Sequence, residues 1–246
     1  MQEIQLKPPF SKTGKKIESM CRKAIFDFHL LDGQKKIGVA LSGGKDSLTM
    51  LIMLNAINGK GFESFDLHAF CVSGSFSCGA SLHQNYLKTV CKQLNVPLHI
   101  AQTTQKKVPL NCYVCARKRR KLLFEMAKNE GISTLSFGHH RDDLIQTLLM
   151  NLFHKGEFSA MLARIEMKKF NITLIRPLIY VQEELIKSFA KQMGFLRITC
   201  QCEKGQHSYR KKTDLLIQEI EELYPNIRQN LLHSALKYGS NKALID

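Results

Sequence analysis

The chain has 246 residues, 44% hydrophobic and 23% charged, a composition that excludes disordered, collagen-like and low-complexity classes and leaves an ordinary globular protein with length for a sizeable core. Lys and Arg outnumber Asp and Glu by 36 to 21, a net charge of +15 and an isoelectric point near 9.5, which points to a polyanionic partner, nucleic acid before an anionic membrane surface. No apolar run approaches the roughly 18 residues of a spanning helix and no export signal opens the chain, so a soluble cytoplasmic protein with reduced cysteines is expected.

In chain order, Ser11 to Leu31 carries Ile17, Met20, Cys21, Ile25, Phe26 and Leu30 at helical spacing with Lys12, Lys15, Lys16, Arg22 and Lys23 between them, which predicts an amphipathic basic helix. Lys36 to Leu41 is a short, uniformly apolar strand, fit for the centre of a parallel sheet. Ser42-Gly43-Gly44-Lys45-Asp46-Ser47 follows it at once, and Leu48 to Ala56 continues as an apolar helix.

The alternation then repeats. Strands are expected at Leu67 to Val72, Leu98 to Thr103, Ser133 to Phe137 and Ile172 to Ile179. Helices are expected at Ala80 to Leu94, Ala116 to Asn129, Asp143 to Phe153 and Gln182 to Met193. Strands and helices in strict turn predict right-handed crossovers, hence an α/β fold built on a doubly wound parallel sheet. Beyond Gly194 the pattern weakens, and Lys212 to Leu223 and Ile227 to Lys237 predict a small C-terminal helical appendage. The expected organisation is a basic helix over residues 1–33, the sheet domain over 34–199, and the appendage of the same domain over 200–246.

In open parallel sheets ligands bind beyond the carboxyl ends of the strands, and a two-glycine loop between strand and helix offers backbone amides to a phosphate. The loop at 42–47 lacks both the Walker spacing and the G-x-G-x-x-G of dinucleotide sites. The bland alternative is a turn with Asp46 as a helix cap, disfavoured because six residues sit between an apolar strand and an apolar helix. Gly138-His139-His140-Arg141-Asp142-Asp143 falls at the end of the fourth strand and the start of its helix, on the same side of the sheet. Its histidines and carboxylates suit phosphate contacts and Mg²⁺; the alternative is Asp142 as a cap.

Of the eight cysteines, Cys21, Cys71, Cys78 and Cys91 are isolated and read as small core hydrophobes. Cys112-Tyr113-Val114-Cys115 is a C-x-x-C expected on a loop just before a helix, and from spacing alone it is a redox pair, half a zinc site or two ligands of an iron–sulfur cluster. The run Arg117-Lys118-Arg119-Arg120-Lys121 follows it, either a solvated helix face or a set of phosphate contacts; the overall charge favours the second.

The S-G-G-x-D-S loop resembles that of the PP-loop ATP pyrophosphatases, which split ATP between the α and β phosphates. Taken with C-Y-V-C-A-R-K-R-R, the 138–143 motif, Gln146-Thr147 and Ile175-Arg176-Pro177-Leu178, in order from about Lys36 to Cys202, the chain resembles the tRNA 2-thiocytidine synthetase (TtcA) family. That resemblance implies ATP-dependent replacement of the C2 oxygen of cytidine 32 in the tRNA anticodon loop by sulfur. It implies ATP, Mg²⁺ and a [4Fe-4S] cluster, with Ser42, Gly43, Gly44 and Ser47 on the pyrophosphate and Gly138, His139 and His140 on the nucleotide. Lys45, Asp46 and Asp142 are then catalytic. Cys112 and Cys115 are cluster ligands, the third being Cys202 with Cys200 as alternate, because Cys200-Gln201-Cys202 is one residue shorter than the family's C-x-x-C-G.

Other departures are Cys71-Val72-Ser73-Gly74 after the second strand and Met161-Leu162-Ala163-Arg164 where Met-Pro-Pro is usual; both touch the expected adenine and tRNA contacts. Partners implied are tRNA, ATP and a sulfur donor, either a cysteine desulfurase persulfide or sulfide, with no membrane and with a homodimer left open. The competing readings are a lysidine synthetase or uridine thiolase of the same fold, and a zinc-bearing RNA-binding module with a degenerate nucleotide site.

Overall fold

The apolar segment after the first helix forms the centre of the sheet. A computed structural model describes residues 6–74, 84–103, 112–195 and 209–239. The first half runs α1 (Lys12–Asp27), β1 (Lys36–Ala40), α2 (Lys45–Ile57), β2 (Asp66–Gly74), α3 (Gln84–Leu94), β3 (Leu98–Thr103) and α4 (Cys112–Asn129). The second runs β4 (Thr134–Ser136), α5 (Arg141–Lys155), β5 (Arg164–Met167), β6 (Ile172–Ile175), α6 (Glu183–Gln192), α7 (Tyr209–Leu223) and α8 (Ile227–Tyr238).

The strands lie in the order β3-β2-β1-β4-β6-β5. The first five are parallel, with Val39 of β1 opposite Ala69 on one side and Ser136 on the other. The order reverses at β1: the chain winds outward through β2 and β3, then crosses back by α4 to β4. The carboxyl ends of β1 and β4 therefore open beside each other at the switch point where such sheets bind ligands.

Side-chain alternation explains the two layers. Ile37, Val39, Ala69 and Cys71 belong to the larger core, shared with α1, α2, α3, α5 and α6. Phe70, Val72, Leu135, Ile172 and Leu174 belong to a second core, capped by Leu123, Phe124 and Ala127 of α4. Gly38 faces that second layer, and a Cβ there would lie 2.5 Å from Leu135 Cδ2 and 2.7 Å from Phe70 Cε2, so the central strand carries glycine where the layer has no room. The terminal helices are not separate bodies: Ile17 and Cys21 of α1, Ile217 of α7 and Ala235 of α8 join the larger core.

Three expectations require correction. The sheet is not wholly parallel: Arg164–Met167 is an edge strand antiparallel to β6, and its Ile165 is buried beside exposed Glu166, the half-buried alternation of an edge rather than the continuous apolar run of a central strand. The strand expected to reach Ile179 stops at Ile175. Residues 176–181 turn instead, with Ile179 N donating to Arg176 O at 3.1 Å and Val181 N to Leu178 O at 2.8 Å, because Pro177 has no amide to give a ladder. The C-x-x-C lies not on a loop before a helix but in the first turn of α4. Other boundaries move by a few residues; α5 starts at Arg141 and α7 at Tyr209.

Candidate active site

The loop between β1 and α2 is built largely from its own hydrogen bonds. Gly43 has φ +83°, a conformation open to glycine at little cost. Ser42 Oγ stands 3.2 Å from Ser47 Oγ, and Ser47 Oγ donates to Gly44 O at 2.9 Å. Gly44 caps α2 through its backbone without a side-chain bond, so the amides that open α2 have no side-chain acceptor at the cap. A helix N-terminus of this kind attracts anionic oxygens.

Gly138 explains how the second motif approaches this loop. A Cβ on it would lie 2.9 Å from the Asp46 carbonyl carbon, 3.0 Å from Ser47 N and 3.1 Å from Asp46 O. The β4–α5 junction thus rests directly on the start of α2, and only a residue without a side chain fits. The structure places Gly138 against the loop backbone.

Lys45 Nζ sits between two carboxylates, 2.9 Å from Asp46 Oδ1 and 3.0 Å from Glu183 Oε1. Burial opposes the charge on Lys45, yet the two carboxylates outweigh it and hold the ammonium above its ordinary value. Burial likewise pushes the Glu183 carboxyl up, and Lys45 reverses this to a net lowering. His140 is buried, its Nε2 3.7 Å from Asp46 Oδ1 and 3.4 Å from Asp143 Oδ2. Its backbone N–H donates to Asp143 Oδ2 at 3.1 Å.

Asp142, expected to be catalytic, is committed elsewhere. Its Oδ1 accepts from Arg141 and from Arg228 of α8, each at 3.0 Å, and its Oδ2 accepts the Glu183 backbone N–H at 2.8 Å. Burial raises its carboxyl, but the Glu183 amide, Arg141 and His140 bring it below the usual carboxylate value. Asp142 ties α5, α6 and α8 together. Asp143 also ends below that value, burial being outweighed by His140 and Arg210, and Arg210 of α7 forms an ion pair with it.

His139 stacks on Phe137, with ring planes 6° apart and centroids 5.8 Å apart, and its Nδ1 accepts from Arg176 Nε at 3.3 Å. Arg176 also donates to Leu162 O, and its own amide to Ala163 O at 2.9 Å. The segment that departs from Met-Pro-Pro thereby buttresses Arg176 with its carbonyls. Ser73, in the other departure, accepts from Gln84 Nε2 at 2.6 Å.

The sequence reading missed Glu183, Arg176, Arg210 and Arg228. Arg176 stood in a quoted motif without a role. Glu183 was readable only as an acidic residue opening a helix, and the two C-terminal arginines as ordinary charges in the appendage.

The cysteine expectations divide. Cys21, Cys71 and Cys91 are buried, and burial raises their thiols, Cys71 to about 11 and Cys91 to about 12, which leaves inert core residues. Cys112 and Cys115 stand three apart in the first turn of α4. Cys78, Cys200 and Cys202 lie outside the described residues. Arg117, Lys118 and Arg120 are exposed on α4, and Arg120 is near enough to Arg176 to oppose its charge, which together with burial lowers the Arg176 guanidinium to about 10. Arg120 of the basic helix therefore lies near the carboxyl end of β6. Among the described residues no group of three or more His, Cys, Asp or Glu side chains gathers as a metal cage, and no helix is long and apolar enough to cross a membrane.

Comparison with known proteins agrees with this geometry. The PP-loop domain model matches residues 11–236. A tRNA-cytidine(32) 2-sulfurtransferase of Coxiella burnetii is 32% identical over 91% of this chain and 90% of its own length, and one of Geobacter metallireducens is 32% identical over the same shares. Among solved structures, the U34-tRNA thiolase NcsA of Methanococcus maripaludis, with its [4Fe-4S] cluster, superposes with a TM-score of 0.74 at 22% identity, covering 95% of this chain and 82% of that one; at that identity it speaks for the fold. The chain belongs to the PP-loop family and, within it, to the tRNA-cytidine(32) 2-sulfurtransferases.

Proposed function

We propose that the chain thiolates tRNA at the expense of ATP, replacing the C2 oxygen of cytidine 32 with sulfur. The observation that carries this reading is the S-G-G-K-D-S loop, intact between β1 and α2 and seated under Gly138 beside Lys45, Asp46 and Glu183. Family membership names the substrate.

The amides opening α2, with Ser42 and Ser47, take the β and γ phosphates, and Lys45 offsets their charge. Two carboxylates against one ammonium leave surplus negative charge, a donor set that fits Mg²⁺, a hard cation commonly held by one or two carboxylates and the phosphates themselves. Asp46 and Glu183 would hold it. The cytidine C2 oxygen attacks the α phosphorus, the bond to the bridging oxygen breaks, and pyrophosphate leaves with the electron pair. Sulfur at the oxidation level of sulfide then attacks C2, the C2–O bond breaks, and AMP departs with the oxygen.

Soft thiolate donors at the start of α4 fit an iron–sulfur cluster. Cys112, Cys115 and Cys202, with Cys200 as alternate, would hold it, and the cluster would supply sulfur transfer. The exposed arginines of α4 bind tRNA phosphates, and a tRNA substrate places the reaction in the cytoplasm. The sulfur comes from free sulfide or from the persulfide of a cysteine desulfurase; the persulfide also needs a thiol reductant.

The test is anaerobic purification with iron and sulfide analysis, then incubation with ATP, Mg²⁺, sulfide and unmodified tRNA, and mass spectrometry of the digested tRNA. The expected product is 2-thiocytidine with one AMP and one pyrophosphate per sulfur. A 2-thiouridine or lysidine product returns a rival of the same fold, and bound zinc without pyrophosphate release returns the RNA-binding module.

A further inference from the structure

Arg176 is buried at the carboxyl end of β6, 8% exposed, and carries no role in the reading above. Its Nε–H points at His139 Nδ1 across 3.3 Å while another of its nitrogens donates to Leu162 O. A guanidinium has donors only and keeps its proton throughout the working pH range. The nitrogen it meets must therefore be an acceptor, so His139 Nδ1 is unprotonated and the ring's single proton is on Nε2.

We propose that Arg176 is a positioning residue that locks His139 in the neutral Nε2–H form, so that His139 offers a fixed hydrogen-bond donor to an oxygen acceptor at the reaction centre. The oxygen belongs to an ATP phosphate or to the cytidine carbonyl.

The surroundings support a ring that stays neutral. Burial first, then Arg176, disfavour a second proton on His139; Arg210 of α7 and His140 act in the same sense, and Asp143 alone opposes them, leaving the ring well below an ordinary histidine. Arg120 of α4 is near enough to Arg176 to add positive charge. Phe137 fixes the ring plane by stacking. A donor held in one orientation and one protonation state needs no reorganisation as negative charge develops, the condition under which such a group stabilises a transition state most.

The inference about the donor's use rests on the thiolation reading; the tautomer does not, and the experiment separates them. Imidazole ¹H–¹⁵N correlation spectra of the full-length protein, with His139 identified by its loss in His139→Gln, should show an Nε2–H tautomer that does not change between about pH 5 and 8. An Nδ1–H tautomer, or a ring that titrates in that window, overturns the proposal whatever the enzyme's substrate. In tRNA-dependent pyrophosphate release, His139→Gln and Arg176→Met should each lower kcat by about a hundredfold, and the double variant should lose no more than either single one. Additive losses show that Arg176 does not act through His139 and also overturn it. Arg176→Lys gives the same cycle if the methionine variant does not fold. A raised Kd for a non-hydrolysable ATP analogue in His139→Gln assigns the donor to phosphate; unchanged affinity with the kcat loss intact assigns it to the base carbonyl.

Discussion

Arg228 and Asp142 are 86 positions apart in the chain, yet Arg228 Nη1 donates to Asp142 Oδ1 at 3.0 Å, and the same guanidinium reaches Asp214 at 3.3 Å and Glu221 at 2.8 Å. This arginine, on the last helix, fastens the C-terminal pair to the first turn of α5 beside the nucleotide loop. The appendage thereby becomes part of the wall that holds His139, His140 and Asp143.

The link has a consequence for stability. Arg228→Met removes a charged partner from a buried carboxylate and should cost about 1.5–3 kcal/mol, read as a lower denaturation midpoint in urea. Asp142 has a folded carboxyl below its ordinary value, so its contribution is present above the ordinary carboxylate range and is lost as pH falls through the folded value. Asp142→Asn should therefore differ most from the wild type near neutral pH and converge with it in acid. A constant difference across that range would show that the carboxylate's charge is not what stabilises.

At Gly138 the expected effect is steric. Gly138→Ala puts a methyl 2.9–3.1 Å from the backbone of Asp46 and Ser47, and relieving overpacking of this kind costs about 1–3 kcal/mol. The loop should shift and ATP-analogue affinity fall by about tenfold, while tRNA affinity holds. Unchanged nucleotide binding in a calorimetric titration would separate the junction from the loop.

Asp46→Ala should abolish pyrophosphate release and leave tRNA binding close to wild type, because in the proposed reaction Asp46 handles the metal and phosphates rather than the RNA. A variant that still cleaves ATP at the ordinary rate would remove Asp46 from catalysis and leave Glu183 as the carboxylate to test next.

Neutralising Arg117, Arg119 and Arg120 together should weaken tRNA binding and flatten its salt dependence, each lost phosphate contact lowering the log–log slope by about 0.7 to 0.9. A filter-binding titration across salt concentrations with an unchanged slope would return this face of α4 to ordinary solvation.

Replacing Cys112, Cys115 or Cys202 with Ala should eliminate thiolation and leave ATP binding intact, since the nucleotide loop lies on another element. Cys200→Ala should be tolerated. Anaerobic reconstitution followed by absorbance and tRNA mass spectrometry reads both, and full thiolation by Cys112→Ala would end the cluster mechanism.

Much of this protein is written locally. The uniform apolar run at 36–41, the glycine loop after it and the repeated change of period from strand to helix determine the parallel sheet and the end of it that binds ligand, because each signal lies within a few consecutive residues. The C-x-x-C and the basic run were legible for the same reason. Contacts between distant segments were not. Edge strand β5 carries four residues of weak alternation and exists because β6 offers it a free edge. Asp142 reads as a catalytic carboxylate beside the phosphates and Mg²⁺, whereas in the fold Arg228 and the Glu183 amide occupy its oxygens. Glu183 joins the loop only because α6 starts beside Lys45, and Gly138 is irreplaceable only because the start of α2 runs 3 Å away. The roles of single charged residues depend on what stands opposite them, and opposition across 67 or 86 residues of chain is set by the packing of helices on the sheet rather than by any local pattern.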